Sequence, residues 1–109
     1  MKVWFIVCGW YYNRIEEFYA PLKELESNNE FINVFWACHR EPTKYIKENF
    51  NHQFFPKIGL SDTKYQQALD VLDIGDDDIV FFMQDDLGIK DWGFVEKSIK
   101  YLNNGFKVV

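Results

Sequence analysis

A chain of 109 residues is long enough for one small domain and too short for two. It is 48% hydrophobic and 19% aromatic, which excludes a disordered chain, and its net charge of −5 argues against a nucleic-acid backbone as the main partner. The same charge leaves a nucleotide open, because a divalent cation can bridge one to an acidic site.

Residues 2–8, Lys-Val-Trp-Phe-Ile-Val-Cys, are β-branched and aromatic and predict a buried first strand ended by Gly9. Trp10-Tyr11-Tyr12-Asn13 follows as a loop at the strand's carboxyl end. Three consecutive aromatics cannot all face one way, so at least one should reach a cleft; plain core and rim packing is the alternative. Ile15, Phe18, Leu22 and Leu25 then recur at helical spacing, with Glu16 and Glu17 in the first turn, where the helix dipole favours anions. Pro21 should kink or split this helix, and Ser27-Asn28-Asn29 closes it. Residues 31–38 read as a second strand ending in His39-Arg40. Strand, helix, strand makes a βαβ unit, so the strands should be parallel.

Residues 43–50 read as a short helix or an irregular segment, and 51–59 as a loop with Phe54-Phe55 tucked against the body. Ser61 caps a helix over 62–72 with Tyr65, Ala68, Leu69 and Leu72 on its inner face, and Gly75 stops it. Asp73, Asp76, Asp77 and Asp78 precede the next strand and read as a solvated turn and cap. That strand, Ile79-Val-Phe-Phe-Met, runs straight into Gln84-Asp85-Asp86. An unbroken apolar run predicts a central strand buried on both faces, and ligands of such sheets bind beyond the carboxyl ends of the strands. Adjacent carboxylates there suit a hard cation, Mg²⁺ or Mn²⁺; a solvated loop is the alternative. Trp92, Val95, Ile99 and Leu102 give a last amphipathic helix. Residues 106–109 then begin what reads as an edge strand, a fold cut short, or one completed by another copy.

Cys8 and Cys38 each sit inside an apolar run and read as buried reduced thiols. No apolar run is long enough to span a membrane and no signal-peptide pattern stands out, so a soluble cytoplasmic protein is expected. No glycine-rich phosphate loop and no G-x-S-x-G is present, which counts against dinucleotide oxidoreductases, P-loop NTPases and serine hydrolases.

With these elements in place, the chain resembles the amino-terminal half of a GT-A glycosyltransferase. The resemblance rests on the first strand, Tyr12-Asn13 opening the first helix, and Phe82-Met83-Gln84-Asp85-Asp86 where the family shows an apolar pair followed by D-x-D. It implies an α/β fold: a Rossmann-like, mostly parallel sheet with flanking helices, holding a UDP- or GDP-linked sugar together with Mn²⁺ or Mg²⁺. It further implies that Tyr12 and Asn13 line the base pocket and that Asp86 ligates the metal. Gln84, in place of the first Asp, and Asp85 would position ribose or sugar hydroxyls. His39 stands where the family often has an acidic residue near the base or ribose, and Lys64 and Tyr65 where diphosphate or ribose contacts occur. The family's acceptor site and catalytic base lie after the material present here, so the acceptor is open. Arg14 and Arg40 would pair with a phosphate or form surface salt bridges. The rival reading, from another class, is a non-catalytic interaction domain, homodimeric across the 106–109 edge, without nucleotide affinity.

Overall fold

The structure is a computed structural model; it describes residues 2–12, 14–55 and 61–85, together with 97 and 100. Four strands form one all-parallel sheet: β1 (Val3–Gly9), β2 (Ile32–Cys38), β3 (Asn51–Phe54) and β4 (Ile79–Gln84), in the order β3-β2-β1-β4. Three helices connect them: α1 (Ile15–Asn28), α2 (Lys44–Asn49) and α3 (Ser61–Val71). The expected α/β, Rossmann-like parallel sheet with flanking helices is therefore what the chain forms.

Alternation along the strands assigns each helix its face. Val3, Phe5 and Val7 of β1 share one core with Ile32, Val34, Trp36 and Cys38 of β2, with Ile15, Tyr19 and Leu22 of α1, and with Ile46 and Phe50 of the α2 region. Ile6, Phe35 and Ala37 share the other with Ala68 of α3. α1 and α2 thus cover one face and α3 the other. That is why β1 and β2 are apolar at nearly every position. At the centre of the first core, Trp36 is fully buried, edge-on to Tyr19 at 4.9 Å between ring centroids and tilted against Phe50 at 5.9 Å.

Several expectations are corrected or decided. Residues 51–54 form strand β3 rather than a loop. Asn51, His52 and Gln53 are poor strand formers, but the ladder to Phe35–Cys38 supplies their pairing, and the segment is a mostly exposed flank that needs no apolar alternation. Of the two readings of residues 43–50, the short helix is what forms, because the Thr43 hydroxyl accepts the Ile46 N–H as an N-cap. Pro21 does not split α1, which is assigned as one element of 14 residues; burial of Tyr19 and Leu22 on either side of the proline holds it together. The inner face of α1 is Ile15, Tyr19 and Leu22, with Phe18 and Leu25 only partly covered. Finally, β4 is not central among the described residues. Among those residues it pairs with β1 alone, and Phe82 is 48% exposed. The strand expected at 106–109 lies outside the described residues, as does the helix expected before it except at Lys97 and Lys100, which are helical.

No helix among the described residues is long and apolar enough to cross a membrane. The two cysteines are both buried and unpaired with each other. Gly9 is opposite Cys38 in the ladder, so Cys8 and Cys38 fall on opposite faces of the sheet and their side chains point apart.

Candidate functional site

The strand order places a topological switch between β1 and β4. From β1 the chain goes through α1 on one face to β2; into β4 it comes from α3 on the other face. Connections leaving in opposite directions open a crevice above the carboxyl ends of the two strands, the usual ligand position in open α/β sheets. The described residues gathered there are 10–12 and 14 after β1, His39-Arg40 after β2, and Gln84-Asp85 at the end of β4.

The loop after β1 is fixed by two of these neighbours, Asp85 and Arg40. Asp85 is 4% exposed, and its Oδ2 accepts the Trp10 N–H at 3.0 Å and the Tyr12 N–H at 2.6 Å. A buried carboxylate is tolerated when backbone donors replace its water. The Asp85 N–H in turn donates to the Cys8 carbonyl at 3.1 Å, continuing the β1–β4 ladder by one residue. The Tyr12 hydroxyl donates to the Arg40 carbonyl at 2.7 Å. The Arg40 guanidinium closes the ring from outside: Nη1 donates to the Trp10 carbonyl at 3.2 Å, and the group sits 5.7 Å from the centroid of the Trp10 ring. Tyr12 and Arg14 both have left-handed backbones, at φ 56° and 53°, which non-glycine residues rarely adopt. Such a loop persists only because its surroundings over-determine it.

Burial makes this a protonated cluster. The Tyr12 hydroxyl is pushed well above the usual phenol range, first by burial and then by the neighbouring Cys38 thiol. Burial likewise raises the Cys38 thiol to about 11. At neutral pH Tyr12 is a hydrogen-bond donor and Cys38 a neutral thiol, and neither is a nucleophile.

The expected site residues are distributed as follows. Tyr12 reaches the switch point, but its ring is turned down onto Gly9 and its hydroxyl is committed to Arg40. His39 is 3% exposed, its ring stacked 5.9 Å from that of Phe55, and its N–H donates to the Gly9 carbonyl. Asp85 is buried in the loop. Gln84 is exposed and, by strand alternation, belongs to the opposite face from Asp85. Lys64 and Tyr65 lie on α3, with side chains outside the description. Asn13 and Asp86 lie outside the described residues. Arg14 forms a two-pronged salt bridge with Glu17, the surface alternative to a phosphate contact. Among the described residues no group of three His, Cys, Asp or Glu side chains could hold a metal ion. One oxygen of Asp85 is already occupied by two N–H groups, so the described residues do not build a cation site by themselves.

The sequence did not single out Tyr19 or the staple made by Asp85. For Tyr19 the signal was present, since Ile15, Tyr19 and Leu22 are spaced by four and three. For the Asp85 staple there was none, because backbone donors leave no trace in side-chain identity.

At the other end of the sheet an open polar groove of about 500 Å³ runs between the last turns of α1 and α2 and the starts of β2 and β3. Several of its polar groups are already bonded: Lys23 to Glu26, the Asn29 amide to the Leu25 carbonyl, the Asn49 amide to the Tyr45 carbonyl. Comparison with protein-family models, with curated proteins and with solved structures finds no match for this chain.

Proposed function

We propose that this domain binds a nucleoside-diphosphate sugar at the carboxyl ends of β1, β2 and β4, as the nucleotide-binding part of a glycosyltransferase. What supports the reading above all is the strand order, which brings the Tyr12 loop, His39-Arg40 and Gln84-Asp85 to one switch point, where open α/β sheets take their ligands. The loop there is rigid and aromatic instead of glycine-rich, which suits a base and ribose better than a backbone cradle for phosphate. A divalent cation carried by Asp86 would neutralise the diphosphate.

Calorimetric titration with UDP and with GDP, each with Mn²⁺ and again with EDTA, tests this. Metal-dependent heat with one of the two supports the site and names the base. Asp86→Asn should abolish that heat while leaving the circular dichroism spectrum unchanged; undiminished affinity would remove the metal role. A chain that takes neither nucleotide and sediments at twice its mass would favour the interaction-domain reading.

A further inference from the structure

The open groove at the amino ends of β2 and β3 takes no part in the reading above. Two helices end on it: α1 with Glu26 and the following Asn29 and Glu30, and α2 with Glu48 and Asn49. The last carbonyls of a helix have no donor within the helix, and its carboxyl end carries the negative pole of the helix dipole. Neither helix closes with glycine, and α1 has no basic residue in its last turn. The donors along the groove are already committed within the fold. Nδ2 of Asn29 donates to the Leu25 carbonyl at 3.0 Å, and Nδ2 of Asn49 to the Tyr45 carbonyl at 2.9 Å. The Lys23 ammonium is held by Glu26 at 3.2 Å and that of Lys47 by Glu41 at 2.6 Å. On β2, the Ile32 N–H donates to the Asn29 carbonyl at 3.1 Å and the Val34 N–H to Oε2 of Glu26 at 2.7 Å. The acceptors stay open. Among the described residues the amide oxygens of Asn29 and Asn49 accept no hydrogen bond, and the exposed Glu30 carboxylate has no salt bridge. The Ile32 carbonyl joins them. Val3 donates to Phe31 across the ladder, so the N–H and carbonyl of Ile32 point away from β1, and β3 begins only opposite Phe35.

A groove of open acceptors and committed donors suits a ligand that brings donors and positive charge of its own. A metal ion does not fit, because among the described residues no three His, Cys, Asp or Glu side chains converge on one point. The acceptors are instead spread over the ends of α1 and α2 and the start of β2, which suits several cationic groups on one flexible chain. We propose that this groove binds a small linear polyamine, whose ammonium groups donate to the Asn29 and Asn49 amide oxygens, the Ile32 carbonyl and the Glu30 carboxylate. A primary ammonium carries three N–H donors and no acceptor, the complement of what the groove leaves open. The two helix ends add a field of the sign that favours it. The groove lies at the opposite end of the sheet from the switch-point crevice, so this site stands or falls without the nucleotide.

The test titrates the full chain with spermidine at low salt, by calorimetry and by proton–nitrogen NMR, with octanediol as an uncharged probe of similar reach. Spermidine should give saturable heat and move the side-chain amide resonances of Asn29 and Asn49; octanediol should do neither. Glu30→Lys should weaken spermidine roughly ten-fold, the scale of reversing one charge beside a bound cation. Asp77→Lys makes the same change in net charge in the turn before β4, at the other edge of the sheet, and should leave the affinity unchanged. Both residues are exposed, so both variants fold. Equal weakening by the two variants would reduce the effect to the net charge of the chain and overturn the site. Octanediol binding as well as spermidine would make this a groove for neutral hydroxyls and overturn the cation. Absence of spermidine binding in the wild-type chain overturns the proposal outright, and leaves the nucleotide reading untouched.

Discussion

Gly9 shows how one missing side chain carries the site. Its backbone is not left-handed, so no conformational argument demands glycine there. Space does. A Cβ at residue 9 would lie 2.6 Å from Cε1 of Tyr12 and 3.0 Å from its hydroxyl oxygen. A ring tip is normally free to slide away, but this one is tied by its hydroxyl to the Arg40 carbonyl, and its backbone is tied to Asp85. Gly9→Ala should therefore destabilise the fold by about 1–3 kcal/mol, the scale of overpacking. The measurement is a denaturant midpoint for the variant alone and in a Tyr12→Ala background. With the ring gone the alanine has room, so its cost should largely vanish. Equal costs in both backgrounds would mean that the clash is not the reason for glycine.

Among the elements, α1 is the one that works against its own sequence. Pro21 is the seventh of its 14 residues; it cannot donate to the carbonyl of Glu17, and its ring crowds the preceding turn. Tyr19 and Leu22 hold the helix in place by full burial against the sheet, Tyr19 edge-on to Trp36. Tertiary packing therefore overrides a local penalty. Pro21→Ala restores the missing donor and should stabilise the domain by about 1–2 kcal/mol, the helical gain of up to about 3 kcal/mol being reduced by the freer unfolded chain. Thermal unfolding of the two proteins decides it, and a variant less stable than wild type would show that the proline ring itself is a packing contact. The same contrast explains what could be read from the residues. β1 and β2 were legible nearly to the residue because burial on both faces demands unbroken apolar runs. β3 was not, since Asn51-His52-Gln53 pair through backbone alone on a mostly exposed flank. The position of β4 was less legible for a related reason: among the described residues it pairs with β1 alone, and an apolar run does not record how many strands lie beyond it. The meeting of the loops at the carboxyl ends of β1, β2 and β4 was legible through the topology, while the bonds of Tyr12 and Asp85 depended on backbone donors and loop geometry that side-chain identity does not encode.

At the scale of the molecule, β1 and β4 are joined by their ladder and by a carboxylate at each end. Above the carboxyl ends, Asp85 of the β4 side holds the loop that leaves β1. Below the amino ends, Asp78 does the converse. Its Oδ1 accepts the Lys2 N–H at 2.8 Å, and its Oδ2 accepts the Trp4 Nε1–H at 3.1 Å and the Gly75 N–H at 2.9 Å, so that one side chain shapes the turn into β4 and anchors the start of β1. The two strands are contributed by segments more than 70 residues apart, and their junction is the floor of the switch-point crevice. The backbone donors of Lys2 and Gly75, followed by the Trp4 indole, hold the Asp78 carboxyl below its ordinary range. A carboxylate whose folded pKa is depressed contributes stability that is complete above its unfolded value, near pH 4, and is lost as the pH falls through that value toward the folded one. Asp78→Asn should accordingly be less stable than wild type at pH 7, and the gap should close on acidification below about pH 4 as the wild-type carboxylate takes up its proton. Urea midpoints of both proteins between pH 7 and pH 3 measure this. A gap that stays constant with pH would assign the loss to the changed hydrogen-bond geometry of the amide and not to the charge. A gap that closes would mean that acid loosens the β1–β4 junction from its amino end, the end remote from the crevice.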